Sequence, residues 1–501
     1  MSFRRKIIQA IFSPRRAELH RVLADPLTTQ QKQLQWLLER GSRTEIGRQF
    51  DMRSIKSIEQ FMARVETFDY DAYSQYIDRA RRGERDVVWN GEVKWFARSS
   101  GTTDRSKYIP VTSDGLLRSH TRGTRDVAAI VSSLFPDTRA YDGKLLTLGG
   151  SRRVEREGER ALTGDLSAIL IENTRSVNGW FRTPSRDVAL IADFNEKVEA
   201  ICRQTTKQNV TCFAGVPSWN LMLMQKVLEY TGKESLCEVW PNLELFVHGG
   251  VGFAPYAEHY KRIIPSERMR YINTYNASEG FFSIADDSEQ EDMLLMVDYG
   301  TFYEFDNGHE IVPLEGVKVG EVYELIITSC NGLWRYRIGD TVTFTSTKPY
   351  RIKIAGRTKQ FINVFGEELM VTNAEQALSY ACRETDADVS EYTVAPVYMT
   401  NQEKGRHQWI IEFAKKPNNL TRFTELLDME LQHLNSDYEA KRHSTLSAPQ
   451  IDVVEKGTFF GWLAAQGKLG GQNKVPRLAN NRQYADSLVA YIADKGCDSN
   501  K

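Results

Sequence analysis

The stretch Ser99-Ser-Gly-Thr-Thr-Asp-Arg-Ser-Lys107 is a run of small hydroxyl residues around a glycine, closed by a lysine. The backbone N–H groups and hydroxyls of such a run can surround phosphate oxygens, and the lysine supplies the counter-charge. It is not a P-loop, because the GxxxxGK[ST] spacing is absent. Clusters of serine, threonine and glycine also form ordinary surface turns. The stretch alone therefore leaves both interpretations open, and the downstream sequence decides between them.

The composition of the chain limits its class. The chain has 501 residues, which is more than a single hydrophobic core usually supports, so at least two domains are expected. Its 65 Lys and Arg residues nearly balance its 66 Asp and Glu residues. A neutral chain gives no electrostatic case for nucleic acid, so no nucleic-acid partner is expected.

The spacing of the cysteines and the length of the apolar runs indicate in which cellular compartment the protein is expected. The six cysteines form no CxxC pair and are widely spaced, which is typical of reduced thiols in a cytoplasmic protein. The basic, briefly apolar start is too short for a secretory signal, and no later run approaches membrane-spanning length. The expectation is a cytoplasmic protein without a membrane partner, acting as a monomer or weak dimer.

Hydrophobic periodicity predicts helices over residues 1–95. In one of them, residues 28–31 (Thr-Thr-Gln-Gln) fit a capping box, and Gly41 is a natural end. The apolar face of this helix is formed by Leu34, Leu37 and Leu38. Another helical pattern follows the Ser/Gly/Thr run at residues 113–131.

The rest of the chain predicts a mixed α/β protein. Short apolar segments alternate with helical ones over residues 144–275, and β-segments follow up to residue 345. The tail has strand patterns at 389–398 and 407–413 and a helical pattern at 420–442. We expect a large N-terminal layered α/β domain with a β-barrel-like part and a smaller C-terminal α+β domain, joined by a short hinge. The predicted domains are residues 1–358, with 1–95 as a helical lead-in, and residues 359–501.

Four further motifs accompany the first stretch. Each motif contains some of the following: a glycine turn, an aromatic residue, an acid and a base. Any one of these motifs taken alone is more often structural than functional. Together they contain what a bound nucleotide needs: an aromatic plane for the base, an acid for the ribose hydroxyls and a carboxylate for a metal. The motifs are Tyr275-Asn-Ala-Ser-Glu279, Tyr336-Arg-Ile-Gly-Asp340, Gly356-Arg-Thr-Lys-Gln-Phe-Ile-Asn-Val-Phe-Gly366 and Gly470-Gly-Gln-Asn-Lys-Val-Pro-Arg477.

In this order the motifs resemble those of the adenylate-forming superfamily of acyl-CoA synthetases and luciferases. They are most similar to the plant auxin-responsive acyl-acid amido synthetases and their bacterial relatives. The segments 302–305 (Phe-Tyr-Glu-Phe), 453–459 and 470–477 are similar to markers of that family. One departure is Asp104, which follows Thr103 directly where the family usually has a glycine, so either the glycine is replaced or the loop is one residue shorter. A carboxylate there would repel phosphates unless it points outward or toward a metal.

The resemblance implies an activity. A small carboxylic acid, aromatic acids included, would attack the α-phosphorus of ATP, and an amino acid would then attack the resulting acyl-adenylate to give an amide and AMP. The implied cofactors are ATP and Mg²⁺. An acyl-CoA ligase, which shares the first half-reaction, and a degenerate nucleotide-binding homologue remain alternatives.

The resemblance also implies roles for individual residues. Lys474 would reach the acyl and phosphate oxygens when the domains close, Glu279 would hold magnesium, and Lys359 would lie at the hinge. Arg118, Phe213 and Trp219 are candidates for the acyl site, although a solvated arginine and core aromatic residues explain them equally well. The implied nucleotide-binding residues are Ser99, Ser100, Gly101, Thr102, Thr103, Lys107, Gly249, Gly250, Tyr275, Asn276, Ala277, Ser278, Asp340 and Arg357, the last of these also counted among the catalytic groups.

Overall fold

The computed structural model describes residues 3–99, 107–149, 155–157, 161–173, 181–191, 193–287, 290–357, 361–367, 369–399, 404–468 and 474–498. The chain forms two compact units. The first unit comprises residues 1–215, 240–250 and 268–354, and the second unit comprises residues 216–239, 251–267 and 355–501. Because two short excursions of the chain belong to the second unit, no single cut separates the units. A domain boundary between residues 358 and 359 stays a prediction.

Helices begin the first unit. Helix α2 starts at Pro26, two residues before the predicted capping box, because Asp25 is the N-cap and its carboxylate accepts from Thr28 N–H at 3.4 Å. Proline is favoured at the first helical position, where its missing N–H costs nothing. Leu34, Leu37 and Leu38 are buried as the pattern predicted, and the helix ends at Gly41. The described helices of this unit are α1 Phe3–Ala24, α2 Pro26–Gly41, α3 Glu45–Gln49, α4 Ile58–Arg64, α5 Tyr70–Arg81, α6 Ser113–Gly115, α7 Arg122–Leu134, α8 Leu166–Glu172, α9 Arg186–Ala189 and α10 Phe194–Thr205.

Two sheets accompany these helices. Strands β1 (Trp95–Ser99) and β2 (Lys107–Val111) are antiparallel, and β1 also pairs in parallel with β5 (Ala161–Gly164), which pairs with β4 (Glu155–Glu157). The larger sheet contains twelve described strands. They are β3 Lys144–Thr147, β6 Arg182–Thr183, β7 Val210–Gly215, β8 Leu245–Gly249, β9 Arg270–Ala277, β10 Gly280–Ile284, β11 Met293–Leu295, β12 Thr301–Asp306, β13 Ile311–Pro313, β14 Val322–Ser329, β15 Leu333–Thr347 and β16 Tyr350–Arg357.

The larger sheet has a parallel and an antiparallel half. The pairs β3–β6, β3–β7, β7–β8 and β8–β9 are parallel, whereas β9–β10, β10–β11, β11–β16 and the strands from β12 to β15 pair in antiparallel fashion. The order runs from β13 at one edge to β6 at the other. The segment expected to be barrel-like is therefore the continuation of the same sheet. The mixed α/β class is confirmed.

Side-chain hydrogen bonds fasten the helical lead-in to this sheet. The buried Gln30 amide of α2 donates to the carbonyls of Val297 and Thr301 at 2.8 and 2.9 Å and accepts from Tyr303 N–H at 2.9 Å. Arg15 of α1 donates to Asp126 and to Asp298. These bonds satisfy polar groups that helix packing would otherwise bury unpaired. The lead-in is therefore part of the scaffold of the first unit.

The second unit is an α+β assembly. Its described helices are α11 Pro217–Thr231, α12 Leu236–Val239, α13 Ala257–Ile263, α14 Val371–Thr385, α15 Leu420–Leu434, α16 Ser436–Ser444, α17 Thr458–Ala465 and α18 Gln483–Asp498. Strands β17 (Phe361–Ile362) and β18 (Leu369–Met370) pair with each other. Strands β19 (Asp388–Val397) and β20 (Arg406–Lys415) confirm the two predicted strands of the tail, and β20 pairs in parallel with β21 (Gln450–Val454).

The helix predicted at residues 420–442 is two helices. Helix α15 ends at Leu434 and α16 begins at Ser436. The break falls at Asn435, whose side chain accepts from Tyr438 N–H at 2.8 Å and donates to the Glu367 carbonyl at 3.1 Å. An asparagine that caps the following helix ends the preceding one, a local preference that apolar periodicity does not reveal.

The described residues include no helix that is both long and apolar enough to cross a membrane.

Candidate active site

Two of the predicted nucleotide motifs meet in the first unit. The Tyr275 hydroxyl, at the end of β9, donates to the Asp340 carboxylate of β15 at 2.6 Å. Both residues are buried, and the Tyr275 ring packs edge-on against Phe282 at 4.9 Å between centroids. Tyr275, predicted to pack on the base, and Asp340, predicted to bind the ribose, are thus in direct contact. Protein atoms cover most of the Tyr275 ring.

The predicted glycine pair lies on the neighbouring strand. Gly249 ends β8 and pairs with Thr274 of β9, and a Cβ on Gly249 would lie 2.3 Å from the Thr274 carbonyl oxygen. The next residue, Gly250, has φ of +90°, a conformation that favours glycine. Gly249 and Tyr275 both lie at the carboxyl ends of parallel strands. In open α/β sheets this edge is where ligands bind.

The turn between β9 and β10 is held from two directions. The Phe281 N–H donates to Ser119 Oγ at 2.9 Å, and Asn331 Nδ2 donates to the Glu279 carbonyl at 3.0 Å. Ser278 and Glu279 are buried, and Ala277 ends β9. Residues outside the motif from Tyr275 to Glu279 therefore hydrogen-bond to its end and to the strand that follows it.

His120 is a functional candidate that the sequence did not reveal. Its Nδ1 lies within hydrogen-bond distance of Asn276 Oδ1, at 3.2 Å. Burial lowers the pKa of His120 to about 4, so the ring is neutral at pH 7. His120 lies in a π-helical stretch, residues 116–121, between α6 and α7. π-Bulges are frequent at functional sites, but they leave no signature in hydrophobic periodicity.

The predicted phosphate loop is described only at its two ends. Ser99 ends β1 and pairs with Lys107, which begins β2. The Lys107 ammonium lies 5.4 Å from the centroid of the Tyr70 ring. Ser100, Gly101, Thr102, Thr103 and Asp104 lie outside the described residues, so their roles stay predictions.

Glu279 is the predicted magnesium ligand. Among the described residues, no group of three His, Cys, Asp or Glu side chains is arranged to hold a metal by itself. Magnesium bound with a nucleotide takes one or two protein carboxylates and completes its shell with phosphate oxygens and water. A single carboxylate such as that of Glu279 fits this donor set, and its role as the magnesium ligand stays a prediction.

The three candidates for the acyl site have different surroundings. The Arg118 guanidinium stacks over the Trp36 ring at 4.0 Å and lies 3.9 Å from the Asp114 carboxylate, with part of its surface exposed. Phe213 of β7 is fully buried and stacked on Phe246 at 4.2 Å, which is the packing of a core residue. Trp219 belongs to α11 of the second unit and is largely buried.

The remaining predicted residues belong to the second unit. Lys474 is exposed, and the segment that follows it pairs with β19. Arg357 is the last residue of β16, and Lys359 lies outside the described residues. Their catalytic and hinge roles stay predictions.

Comparisons with known proteins agree with the predicted family. Residues 15–158 and 153–269 match the GH3 family N-terminal domain, residues 294–357 the GH3 family central domain, and residues 372–483 the GH3 family C-terminal domain. The chain is 23% identical to the indole-3-acetic acid-amido synthetase GH3.4 of Arabidopsis thaliana over 92% of this chain and 90% of that protein. It is 25% identical to the 4-substituted benzoates-glutamate ligase GH3.12 of the same plant, over 51% of this chain and 49% of that protein.

Solved structures share the fold. The GH3.15 acyl acid amido synthetase superposes with a TM-score of 0.79 at 18% identity, covering 94% of each chain. The 2-hydroxyisobutyryl-CoA ligase in its postadenylation state superposes with a TM-score of 0.62 at 12% identity, covering 93% of this chain and 91% of the ligase. The family models span most of the described sequence, and the fold agrees with them. The chain belongs to the GH3 family.

Proposed function

We propose that this protein is an ATP-dependent acyl-acid amido synthetase, a ligase that joins a small carboxylic acid to an amino acid through an acyl-adenylate. The observation that carries the proposal is the contact between Tyr275 and Asp340, which joins two motifs 65 residues apart. Tyr275 lies toward the carboxyl end of β9, the edge at which open α/β sheets generally bind ligands. Family membership supports the same activity, because curated relatives are named amido synthetases and ligases.

The nucleotide would lie at the carboxyl ends of β8 and β9. The second Asp340 oxygen would accept from the ribose hydroxyls, since Tyr275 occupies the first. The backbone at Gly249 and Gly250 would pass the edge of the adenine. The loop from Ser99 to Lys107 would surround the β- and γ-phosphates.

Glu279 would hold magnesium, which when bound neutralises negative charge on the phosphate oxygens. The reaction joins two anions, so catalysis is mainly positioning and charge compensation. An oxygen of the acid attacks the α-phosphorus, and pyrophosphate leaves with the electron pair of the broken bond. The amine of the amino acid then attacks the acyl carbon, AMP leaves, and the amine loses one proton to solvent.

Lys474 would supply a positive charge to the phosphate and acyl oxygens during adenylation, and Arg357 would add a hydrogen-bond donor. A change of torsion at Lys359 would exchange this arrangement for one suited to amide formation. Arg118 is the candidate to meet the carboxylate of the acid. Aromatic acids are the first substrates to test, because curated relatives are named for indole-3-acetic acid and 4-substituted benzoates.

Free thiols suit a reducing compartment, and we place the enzyme in the cytoplasm as a monomer or weak dimer. The free thiols are those of Cys202, Cys212, Cys237, Cys330 and Cys382.

The test is ATP–pyrophosphate exchange with a panel of carboxylic acids, followed by AMP release with the best acid and each amino acid in turn. We expect exchange with at least one acid and amino-acid-dependent AMP release. Release that depends on CoA instead would establish an acyl-CoA ligase. Mg-ATP binding without exchange for any acid would indicate a degenerate nucleotide-binding homologue, and no calorimetric binding of Mg-ATP at millimolar nucleotide would end the proposal.

A further inference from the structure

The segment after Lys474, residues 475–479, is fastened to strand β19 by its backbone. Val394 N–H donates to the Arg477 carbonyl at 2.9 Å, and Ala479 N–H donates to the Val394 carbonyl at 3.2 Å. The Thr393 hydroxyl donates to the Pro476 carbonyl at 2.6 Å. We call residues 475–479 the anchor segment. Its attachment begins directly beside the exposed lysine.

The side chain of Arg477 is enclosed behind this segment. Only 4% of the residue is exposed. Its guanidinium forms an ion pair with Glu391, donates to the Tyr392 carbonyl at 3.0 Å and donates to the Tyr256 hydroxyl. It also lies 4.6 Å from the centroid of the Tyr392 ring. Arginine suits such a place because its planar group makes several directed bonds and stacks on aromatic rings.

These contacts give the anchor segment a second attachment. The backbone bonds connect it to residues 393 and 394, whereas the Arg477 side chain connects it to Glu391, Tyr392 and Tyr256. Tyr256 comes from the excursion at residues 251–267, far from β19 in sequence, and its hydroxyl lies 3.4 Å from Glu391. One buried guanidinium therefore joins three separate parts of the second unit next to Lys474.

We propose that Arg477 is a positioning residue that holds the anchor segment against β19 and thereby places the Lys474 ammonium for adenylation. This inference rests on the proposed function, in which Lys474 contacts the reacting groups. Arg477 acts through Lys474, because its own guanidinium is surrounded by Glu391, Tyr392 and Tyr256.

The first test does not need activity. Amide hydrogen exchange is followed by mass spectrometry in the wild type, in Arg477→Met and in the matched control Arg442→Met. Arg442 also pairs with an acid of the second unit, Asp428 at 2.8 Å, but it donates to Asp428 and the Leu446 carbonyl, which lie outside the anchor segment. Arg477→Met should raise exchange at least tenfold in peptides covering 475–479, and Arg442→Met should not. Unchanged protection of the anchor segment in Arg477→Met overturns the proposal.

Arg477→Met leaves the partly buried Glu391 carboxylate, 14% exposed, without its main partner, which can prevent folding. In that case the double variant Glu391→Gln with Arg477→Met replaces it, because both charges are then removed. Arg477→Lys keeps the charge but not the planar fork, and it should restore only part of the protection. Full protection in the double variant would contradict the proposal as directly as in the single one.

The second test uses a double-mutant cycle on pyrophosphate exchange. Arg477→Met should lower the exchange rate at saturating ATP about tenfold and leave ATP affinity unchanged, whereas in the Lys474→Ala background it should cause no further loss. Equal losses in both backgrounds would mean that Arg477 does not act through Lys474. If the wild type exchanges with no acid, the proposed function fails, and amide exchange still decides whether Arg477 holds the segment.

Discussion

An arginine–glutamate pair stands beside a predicted nucleotide motif in each unit, fully buried in the first and with a partly exposed glutamate in the second. In the first unit Arg335, on the strand that carries Asp340, donates to both oxygens of Glu304 at 3.0 and 2.7 Å. Glu304 is completely buried, and Arg335 adopts a φ of +41°, which is unusual for this residue type. In the second unit Arg477 pairs with Glu391 and is otherwise enclosed by a carbonyl and tyrosines.

The difference lies in what each pair holds. Arg335 is within a fifteen-residue strand that pairs with β14 over residues 333–343, and its partner Glu304 lies on β12, which also pairs with β14. Arg477 belongs to a short segment whose described bridge to β19 is one residue pair, Val394 with Leu478. Loss of the first pair should therefore threaten the fold, whereas loss of the second should threaten the placement of one lysine.

The largest expected effect breaks the pair in the sheet. Arg335→Met leaves the Glu304 carboxylate buried and unpaired, which should lower the free energy of unfolding by about 3–5 kcal/mol. Urea unfolding followed by circular dichroism measures this loss. Arg337→Met is the control on the same strand: its guanidinium pairs with Asp306 and Glu324 but is 26% exposed, so about 1 kcal/mol is expected. If both variants lost the same free energy of unfolding, burial of the ion pair would not decide its contribution to stability.

The next effect concerns the exposed lysine of the second unit. Lys474→Ala should lower the adenylation rate by about 10²–10³, by analogy with the loss of other electrostatic donors, and should nearly spare ATP affinity. Single-turnover measurement of pyrophosphate release and calorimetry with Mg-ATP separate the two. Lys416→Ala, which removes an exposed lysine of the same unit, is the control. If Lys474→Ala lowered only the affinity for nucleotide, with adenylation of bound ATP unimpaired, Lys474 would be a fixed part of the binding site and not a group that acts during adenylation.

A smaller effect is expected at the buried acid of the first unit. Asp340→Ala should weaken Mg-ATP binding by about 1.5–3 kcal/mol, because a charge-assisted hydrogen bond to ribose is lost. Tyr275→Phe, which removes only the hydroxyl bonded to Asp340, should weaken binding less. Calorimetry on both variants gives the comparison, and unfolding experiments check that each is folded. Unchanged affinity in Asp340→Ala would leave Asp340 a purely structural acid.

The smallest effect is a pH dependence of stability in the first unit. Burial lowers the pKa of His120 from 6.5 to about 4, so the unfolded chain binds a proton more readily than the folded one. The stability that the folded protein keeps while His120 is neutral is fully present above pH 6.5 and is lost as the pH falls toward 4. Between pH 7 and pH 5 the free energy of unfolding should fall by about 2 kcal/mol for this reason. Urea unfolding at both pH values should show this loss in the wild type and a correspondingly smaller loss in His120→Gln. Identical pH dependence in the two proteins would exclude His120 as its source.

Hydrophobic periodicity predicted several helices and strands of the fold but not where some helices begin, break or become irregular. The buried face of α2 and the strands β19 and β20 followed from apolar spacing, because burial alone decides which residues repeat. The start of α2 at Pro26, the break at Asn435 and the π-helical stretch at 116–121 did not follow. The first two depend on the Asp25 and Asn435 side chains, which cap helices locally and leave no trace in apolar spacing.

The sequence by itself determined the family and the order of the nucleotide motifs, since small residues, acids and a lysine at those positions are what phosphate, ribose and acyl-transfer chemistry need. Only the tertiary structure decided which of them touch. The bond from Tyr275 to Asp340, the bond from His120 to Asn276 and the enclosure of Arg477 join residues far apart in the chain. Such contacts arise from how strands and helices pack, and no local pattern of residues records them.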